Sequence, residues 1–228
     1  MDTSVIFSRT EKLIGEENLK KLKNAHVAVF GLGGVGSFTA EALVRAGIGA
    51  VTIVDNDVVS QSNINRQSIA FLSTVGKKKT EVMENRIKDI SPDCKVRALP
   101  IFFDESTRSE LDFSEFTYVA DCIDSVQSKI LIIKLATEAG TGIISCMGTG
   151  NKLDPSRLTV DDIKNTSYCP LARAVRTRLK KEGIYSLEVV YSKEPPITTE
   201  GVPASISFVP SVAGLLMAGR IINKIISE

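Results

Sequence analysis

Tryptophan is absent, histidine occurs once, as His26, and aromatic residues make up 6% of the chain. A lone imidazole at the start of an apolar run leaves little scope for histidine general-base chemistry. The four cysteines, Cys94, Cys122, Cys146 and Cys169, contain no C-x-x-C pair, which argues against a zinc ribbon and a secreted disulfide framework. Neither sign of charge dominates: 28 basic residues against 27 acidic give a formal charge of +1, so a nucleic-acid partner would need a local basic patch. No apolar signal core opens MDTSVIFSRTEKLIGEENLKKLKN, and the expected compartment is the cytoplasm. The most apolar stretch, ASISFVPSVAGLLMAGRIINKII, carries Pro210 early and Arg220 and Lys224 late. Its uninterrupted run falls short of the roughly 20 residues a bilayer needs, so it reads as a buried helix starting near Pro210, with no membrane partner.

What is present suffices for one core. With 228 residues, 43% of them hydrophobic, one domain spanning 1–228 is expected, with 1–150 as a nucleotide-binding core and 151–228 as its extension. Glu16 to Asn24 reads as a short amphipathic helix, HVAVFG as a buried parallel strand, GSFTAEALVRAGIG as a helix and AVTIVD as a second strand. KKKTEVMENRIKDISPD places Val82, Ile87 and Ile90 near one helical face and stops before Pro92. KVRALPIFF and YVADCID are the next strands, SVQSKILIIKLATEAG a helix and GIISCMG a further strand. This alternation predicts an α/β fold, Rossmann-like and doubly wound around a mostly parallel sheet. After Gly150 the pattern changes: RLTVDDI, LEVVYS and ASISF read as short strands that add antiparallel pairing or cap the sheet edge. CPLARAVRTRLKKEG reads as a basic helix, and KEPPITTEGVP as the best candidate for a mobile loop.

Gly31, Gly33 and Gly36 match G-x-G-x-x-G between strand and helix, and Asp55 follows about 20 residues on, where an acid binds ribose hydroxyls. Backbone without Cβ atoms approaches a phosphate closely, and the helix N-terminus offers free N–H groups. NAD is one candidate ligand. The segment after Asp55 separates the candidates: SNINRQ with Arg66, and GKKKTEV with Lys79, put fixed positive charge beside the nucleotide, which suits a triphosphate attacked at its α-phosphate. Asp124, ending YVADCID at the carboxyl edge of the sheet, is the candidate to hold Mg2+ on those phosphates.

G-x-G-G-x-G-S at Gly31–Ser37, D-x-D and S-N-x-N-R-Q within Asp55–Gln67, G-x-x-K at Gly76–Lys79, then a strand ending at Asp124, occur in an order that resembles the ubiquitin-activating, molybdopterin- and thiamine-biosynthesis adenylyltransferase superfamily. The resemblance covers about two-thirds of the chain and implies ATP as ligand. It makes Asp55 the ribose acid, with Gly31, Gly33, Gly34, Gly36 and Asp57 around the nucleotide, Asn63, Arg66 and Lys79 the phosphate ligands, and Asp124 the Mg2+ ligand. Arg9, in FSRTEKLIG, resembles the arginine that enters the ATP site of a partner subunit, which implies a homodimer and joins Arg66, Lys79 and Asp124 among the catalytic candidates.

Branches that adenylate a ubiquitin-like carrier usually hold zinc on two C-x-x-C pairs, and this chain has none. Its second part, GTGNKLDPSRLTVDDIKNTSYCPLARAVRTRLKKEGI, is similar instead to the branch of tRNA threonylcarbamoyladenosine dehydratases. That resemblance implies ATP-dependent cyclisation of the threonylcarbamoyl side chain with loss of water, tRNA as partner, and room for a sulfur-relay or cysteine desulfurase protein. The carboxylate would be activated as an acyl adenylate and displaced by the carbamoyl group, with no covalent cysteine. Arg173, Arg176 and Lys180, at helical spacing on one side, are the candidate tRNA contacts. Cys122 and Cys146 read as buried core; Cys169, before Pro170, is the one thiol expected to be exposed. The alternatives are an adenylyltransferase for a carrier ending in Gly-Gly, an NAD-linked oxidoreductase lacking a visible acid/base, and a non-catalytic nucleotide-binding scaffold.

Overall fold

The computed structural model describes residues 5–198 and 203–227. Five strands, β1 (His26–Phe30), β2 (Ala50–Val54), β3 (Lys95–Leu99), β4 (Tyr118–Asp121) and β5 (Gly142–Cys146), lie parallel. With β6 (Leu158–Asp162) and β7 (Glu188–Ser192) they form a seven-stranded sheet in the order β3-β2-β1-β4-β5-β7-β6. The chain runs outward through β1, β2 and β3, then returns through 3₁₀ turns to place β4 on the other side of β1. The crevice beyond the carboxyl ends of β1 and β4 is therefore the switch point at which open α/β sheets bind ligands.

Alternation along the strands explains why both faces are covered. In β1, Val27 and Val29 join the core under α3 (Gly36–Ala46), α4 (Lys79–Ile90) and α7 (Phe208–Ser227). Ala28 and Phe30 point to the other face, where Phe103, Phe113 and α5 (Val126–Ala139) enclose them. Farther along, α6 (Pro170–Lys181) closes a third cluster against β7 through Val175 and Leu179. Two short helices precede β1: α1 (Ser8–Ile14), which the sequence pattern does not announce, and α2 (Glu16–Asn24), which it does.

The C-terminal part adds antiparallel pairing as expected and departs from expectation once, at ASISF. β7 joins β5 in parallel, because α6 carries the chain back across the sheet, and only the β6–β7 pair is antiparallel. ASISF forms no strand: 203–206 are irregular, Ser207 is a bend and Phe208 already begins α7. Pro210 therefore occupies the first turn of α7, where its missing N–H costs nothing. By length and composition α7 is apolar enough to cross a membrane, yet Val209, Ala213, Met217, Ile221 and Ile225 are buried in the core. Its Gly214 is pressed so closely onto α3 that a Cβ there would stand 2.4 Å from the Val35 carbonyl oxygen. Of the expected mobile loop, residues 199–202 lie outside the described residues.

Candidate active site

The glycine turn between β1 and α3 divides its glycines by task. A Cβ at Gly36 would stand 1.8 Å from the Gly31 carbonyl oxygen, so that glycine is dictated by packing of the chain on itself. Gly34 lines the cleft as well, though a Cβ there would meet Pro210 at 3.1 Å and Arg66 at 3.4 Å, so the lack of a side chain serves packing of these residues. At Gly33 a Cβ would meet nothing nearer than Gln67 Nε2 at 4.0 Å, and the residue lines the cleft. That vacancy is where an anion can approach main chain at the start of α3.

Asp55, just past β2, braces this turn. Leu32 N donates to its Oδ2 at 2.6 Å and Asp57 N donates to its Oδ1 at 2.8 Å. Lys79, the first residue of α4 and 5% exposed, donates from Nζ to Asp57 Oδ2 at 2.7 Å and lies 3.7 Å from Asp55 Oδ2. A buried ammonium is tolerable because these carboxylates compensate it. Arg66 is held by its own loop, Nη1 donating to Ser62 O at 2.8 Å and Asn65 Oδ1 at 2.9 Å. Asn63 lines the cleft, and its Oδ1, accepting from Ser60 N at 3.0 Å, shapes the loop that presents Arg66. β4 ends at Asp121, three residues earlier than the motif implied, and Asp124 stands exposed in the loop before α5.

That loop rests on a group the sequence reading did not single out. Asp121 and Lys129 are both fully buried, with Lys129 Nζ donating to Asp121 Oδ2 at 2.9 Å and to Ser145 Oγ at 3.1 Å. Ser145 Oγ donates to the same carboxylate oxygen at 2.5 Å, and Ile123 N reaches Oδ1 at 3.3 Å. The ion pair thus ties the ends of β4 and β5 to α5, and suspends the Asp124 loop between them.

These elements line a cleft of about 860 Å³ shared by Gly33, Asp55, Asp57, Asn63, Arg66, Lys79 and Asp124. Its far wall comes from the segment after β5, Gly148 to Lys152, from Tyr168 to Leu171 at the start of α6, and from Pro203 to Ser205. Asn151, at φ 59°, pins that wall: its Nδ2 donates to Thr198 O at 2.8 Å, and its Oδ1 accepts from Ala204 N at 2.7 Å. Arg9 is exposed on α1 and does not line the cleft. On α6, Arg173 and Lys180 are exposed, while Arg176 turns inward and donates to Ile163 O at 3.1 Å and Thr166 O at 3.2 Å.

The cysteines reverse one expectation. Cys169 is buried, 7% exposed, because its Sγ accepts from Ala172 N as the cap of α6; the most open thiol is Cys122, which is half-buried. Burial, then the Asp121 carboxylate, pushes Cys122 up to about 12, and burial also raises Cys146. Neither is a ready thiolate. His26 sits at the end of β1 opposite the glycine turn, its Nε2 2.9 Å from Thr52 Oγ1, outside the cleft. Among the described residues no cluster of three or more His, Cys, Asp or Glu could hold a metal ion.

Residues 7–228 match the model of the ThiF family. Over 241 aligned residues the chain is 43% identical to a Bacillus subtilis (strain 168) protein named tRNA threonylcarbamoyladenosine dehydratase, covering 97% of this chain and 95% of that protein. The solved structure of the E. coli tRNA N6-threonylcarbamoyladenosine dehydratase TcdA in complex with ATP superposes with a TM-score of 0.93 at 33% identity, over 100% of this chain and 96% of that one. The AMP complex of the same enzyme gives 0.93 at 32% identity, with the same coverage of both chains. The chain belongs to the ThiF family and, within it, to the tRNA threonylcarbamoyladenosine dehydratases.

Proposed function

We propose that this protein uses ATP to dehydrate threonylcarbamoyladenosine in tRNA, closing the side chain into a ring by activating its carboxylate. The observation that carries the reading is the open position at Gly33 in the same cleft as Arg66 and Lys79, a cradle suited to a triphosphate. ATP is a substrate here. The carboxylate oxygen attacks the α-phosphorus and pyrophosphate leaves; a carbamoyl atom then attacks the acyl carbon, loses its proton and expels AMP, which carries away the oxygen counted as water.

The chain contributes charge and orientation. Asp55 accepts the ribose hydroxyls while holding the glycine turn, and Arg66 and Lys79 neutralise phosphate oxygens and the departing pyrophosphate. Asp124 is the carboxylate that would hold Mg2+, an ion that takes one or two carboxylates and completes its shell with phosphates and water. Exposed Arg173 and Lys180 on α6 supply cations for the tRNA backbone. The working form is a cytoplasmic homodimer in which Arg9 enters the partner's ATP site. A sulfur-relay or cysteine desulfurase protein remains a partner, but Cys122 and Cys146, whose burial favours the thiol, supply no nucleophile to the reaction. The absent C-x-x-C pairs disfavour activation of a Gly-Gly carrier.

Incubation with ATP, magnesium and tRNA bearing the modification, followed by digestion and mass measurement, should yield a nucleoside lighter by one water, together with AMP and pyrophosphate. Lys79→Ala should cut the rate by about 10²–10³, the scale of losing one preorganised charge donor. No water-loss product, alongside AMP formation driven by a Gly-Gly carrier, would overturn the reading. Mixing inactive Arg9→Ala and Lys79→Ala variants should restore about a quarter of the activity if the arginine acts across the two-fold axis.

A further inference from the structure

We propose that the far half of the cleft is the acyl-nucleoside subsite, where Lys152 binds the substrate's free carboxylate and Tyr168 stacks on the modified base. This assignment rests on the reaction proposed above. Three lysines are buried: Lys79, Lys129 and Lys152. The first faces Asp57 at 2.7 Å and the second Asp121 at 2.9 Å. Lys152, 5% exposed and lining the cleft, donates only to the Glu194 main-chain oxygen, with no carboxylate in ion-pair range among the described residues. The Glu194 carboxylate is already taken by Leu153 N at 3.0 Å and Asp154 N at 2.9 Å.

A buried ammonium with no paired carboxylate is costly, and two of the three cases meet the cost with an ion pair among the described residues. The third opens onto a cavity whose substrate carries a carboxylate. Burial lowers the basicity of Lys152, Cys169 and Glu194 oppose that, and Arg157 adds to it, so an arriving carboxylate would be the missing stabilising charge. The N-terminus of α6, whose first residue is Pro170, closes the same wall and adds its positive end.

Tyr168 immediately precedes Cys169, the cap of that helix. Its backbone holds φ 56°, a strained conformation for a bulky residue, and its side chain is 64% exposed at the cleft. Such strain concentrates at ligand clamps. The only other non-glycine residue at positive φ among the described residues is Asn151, next to Lys152 in the same wall. An exposed ring at the mouth of a cleft, leading into a helix with outward Arg173 and Lys180, fits a base turned out of a polynucleotide whose backbone lies on the helix.

The test compares tRNA carrying threonylcarbamoyladenosine with the same tRNA unmodified, alongside calorimetric ATP binding. Lys152→Gln should keep ATP affinity within about twofold and lose the preference for the modified tRNA, with kcat/KM down about 10–100-fold, the scale of one charge-assisted hydrogen bond. Lys152→Arg should restore part of the preference, and it reads the same selectivity if Lys152→Gln fails to fold. Tyr168→Ala should raise KM about tenfold at unchanged ATP affinity, with Tyr168→Phe at wild-type values. Wild-type selectivity in Lys152→Gln, no rescue by arginine, or Tyr168→Phe as weak as Tyr168→Ala would overturn the assignment while leaving the reaction standing. A wild-type protein that binds ATP yet never dehydrates the nucleoside would overturn the reaction and this subsite together.

Discussion

In the nucleotide half of the cleft the chain supplies both signs of charge: Lys79 lies between Asp57 at 2.7 Å and Asp55 at 3.7 Å, and Asp55 also grips the glycine turn through Leu32 N. In the far half the buried Lys152 bonds a carbonyl and has no carboxylate in ion-pair range among the described residues, and Asn151 and Tyr168 in the wall around it have left-handed backbone. In the first half the buried ammonium is already paired before a ligand arrives, so its position is set by folding. In the second the buried ammonium has no paired carboxylate among the described residues and the wall carries strain, so its geometry is completed by what binds. Preorganisation suits the ATP side, where charge must stand ready for the departing pyrophosphate. A site left short of an anion suits discrimination, because a substrate lacking the carboxylate leaves the lysine uncompensated.

The sharpest way to break this comparison is at two glycines three residues apart. Gly36→Ala places a methyl 1.8 Å from the Gly31 carbonyl oxygen and should leave no folded protein by circular dichroism. Gly33→Ala points its methyl into the cleft and should keep the wild-type melting temperature while nucleotide binding is lost. If Gly33→Ala bound ATP normally, the glycine turn would not be the phosphate cradle.

Next in size is the buried pair beneath the Asp124 loop. Lys129→Ala strands Asp121, which is 0% exposed, and should cost about 3–5 kcal/mol in denaturant unfolding. The neutral double variant Lys129→Met with Asp121→Asn should recover most of that. Equal losses in the two would show that the pair acts through packing and not charge. Smaller again is Asn151→Ala, which removes the bonds to Thr198 O and Ala204 N and leaves alanine in left-handed backbone. The sum is about 2–3 kcal/mol, confined to the far wall. KM for the modified tRNA should rise while ATP affinity holds; a parallel loss of ATP affinity would mean that the two halves are one coupled unit.

The nucleotide half was legible in the sequence because each of its parts is local: a strand, a glycine turn and a helix, then an acid, then SNINRQ and Lys79 within about 50 residues. The far half was not, because it is assembled across the chain. Asn151 meets Ala204 over a separation of 53 residues, and Lys152 reads in GTGNKLDPSRL as one more solvated cation. The same limit hid Asp121 and Lys129, whose partner Ser145 comes from another strand, and misplaced Cys169, whose burial depends on capping α6. ASISF alternates like a strand, but an edge to pair with is a property of the sheet, and Phe208 is drawn into a helix by the apolar face of α7 instead.

The smallest expected effect lies away from both halves and serves as their control. Burial lowers the pKa of His26 below its ordinary value, outweighing the Glu115 charge and main-chain contact that raise it, while Arg97 lowers it further. A histidine with a depressed folded pKa is protonated first in the unfolded chain, so its contribution to stability is complete above about pH 6.5 and declines as pH falls from there toward the folded value. The melting temperature should therefore drop on acidification below pH 6.5, and His26→Gln, which can still hydrogen-bond Thr52, should flatten that decline. The affinity for ATP measured on the folded protein should be the same in His26→Gln and wild type across the interval, because the imidazole sits at the end of β1 opposite the cleft. A shift of ATP affinity with His26 would mean that the two ends of β1 communicate, and would undo the separation between a fold that carries the site and a site that carries the chemistry.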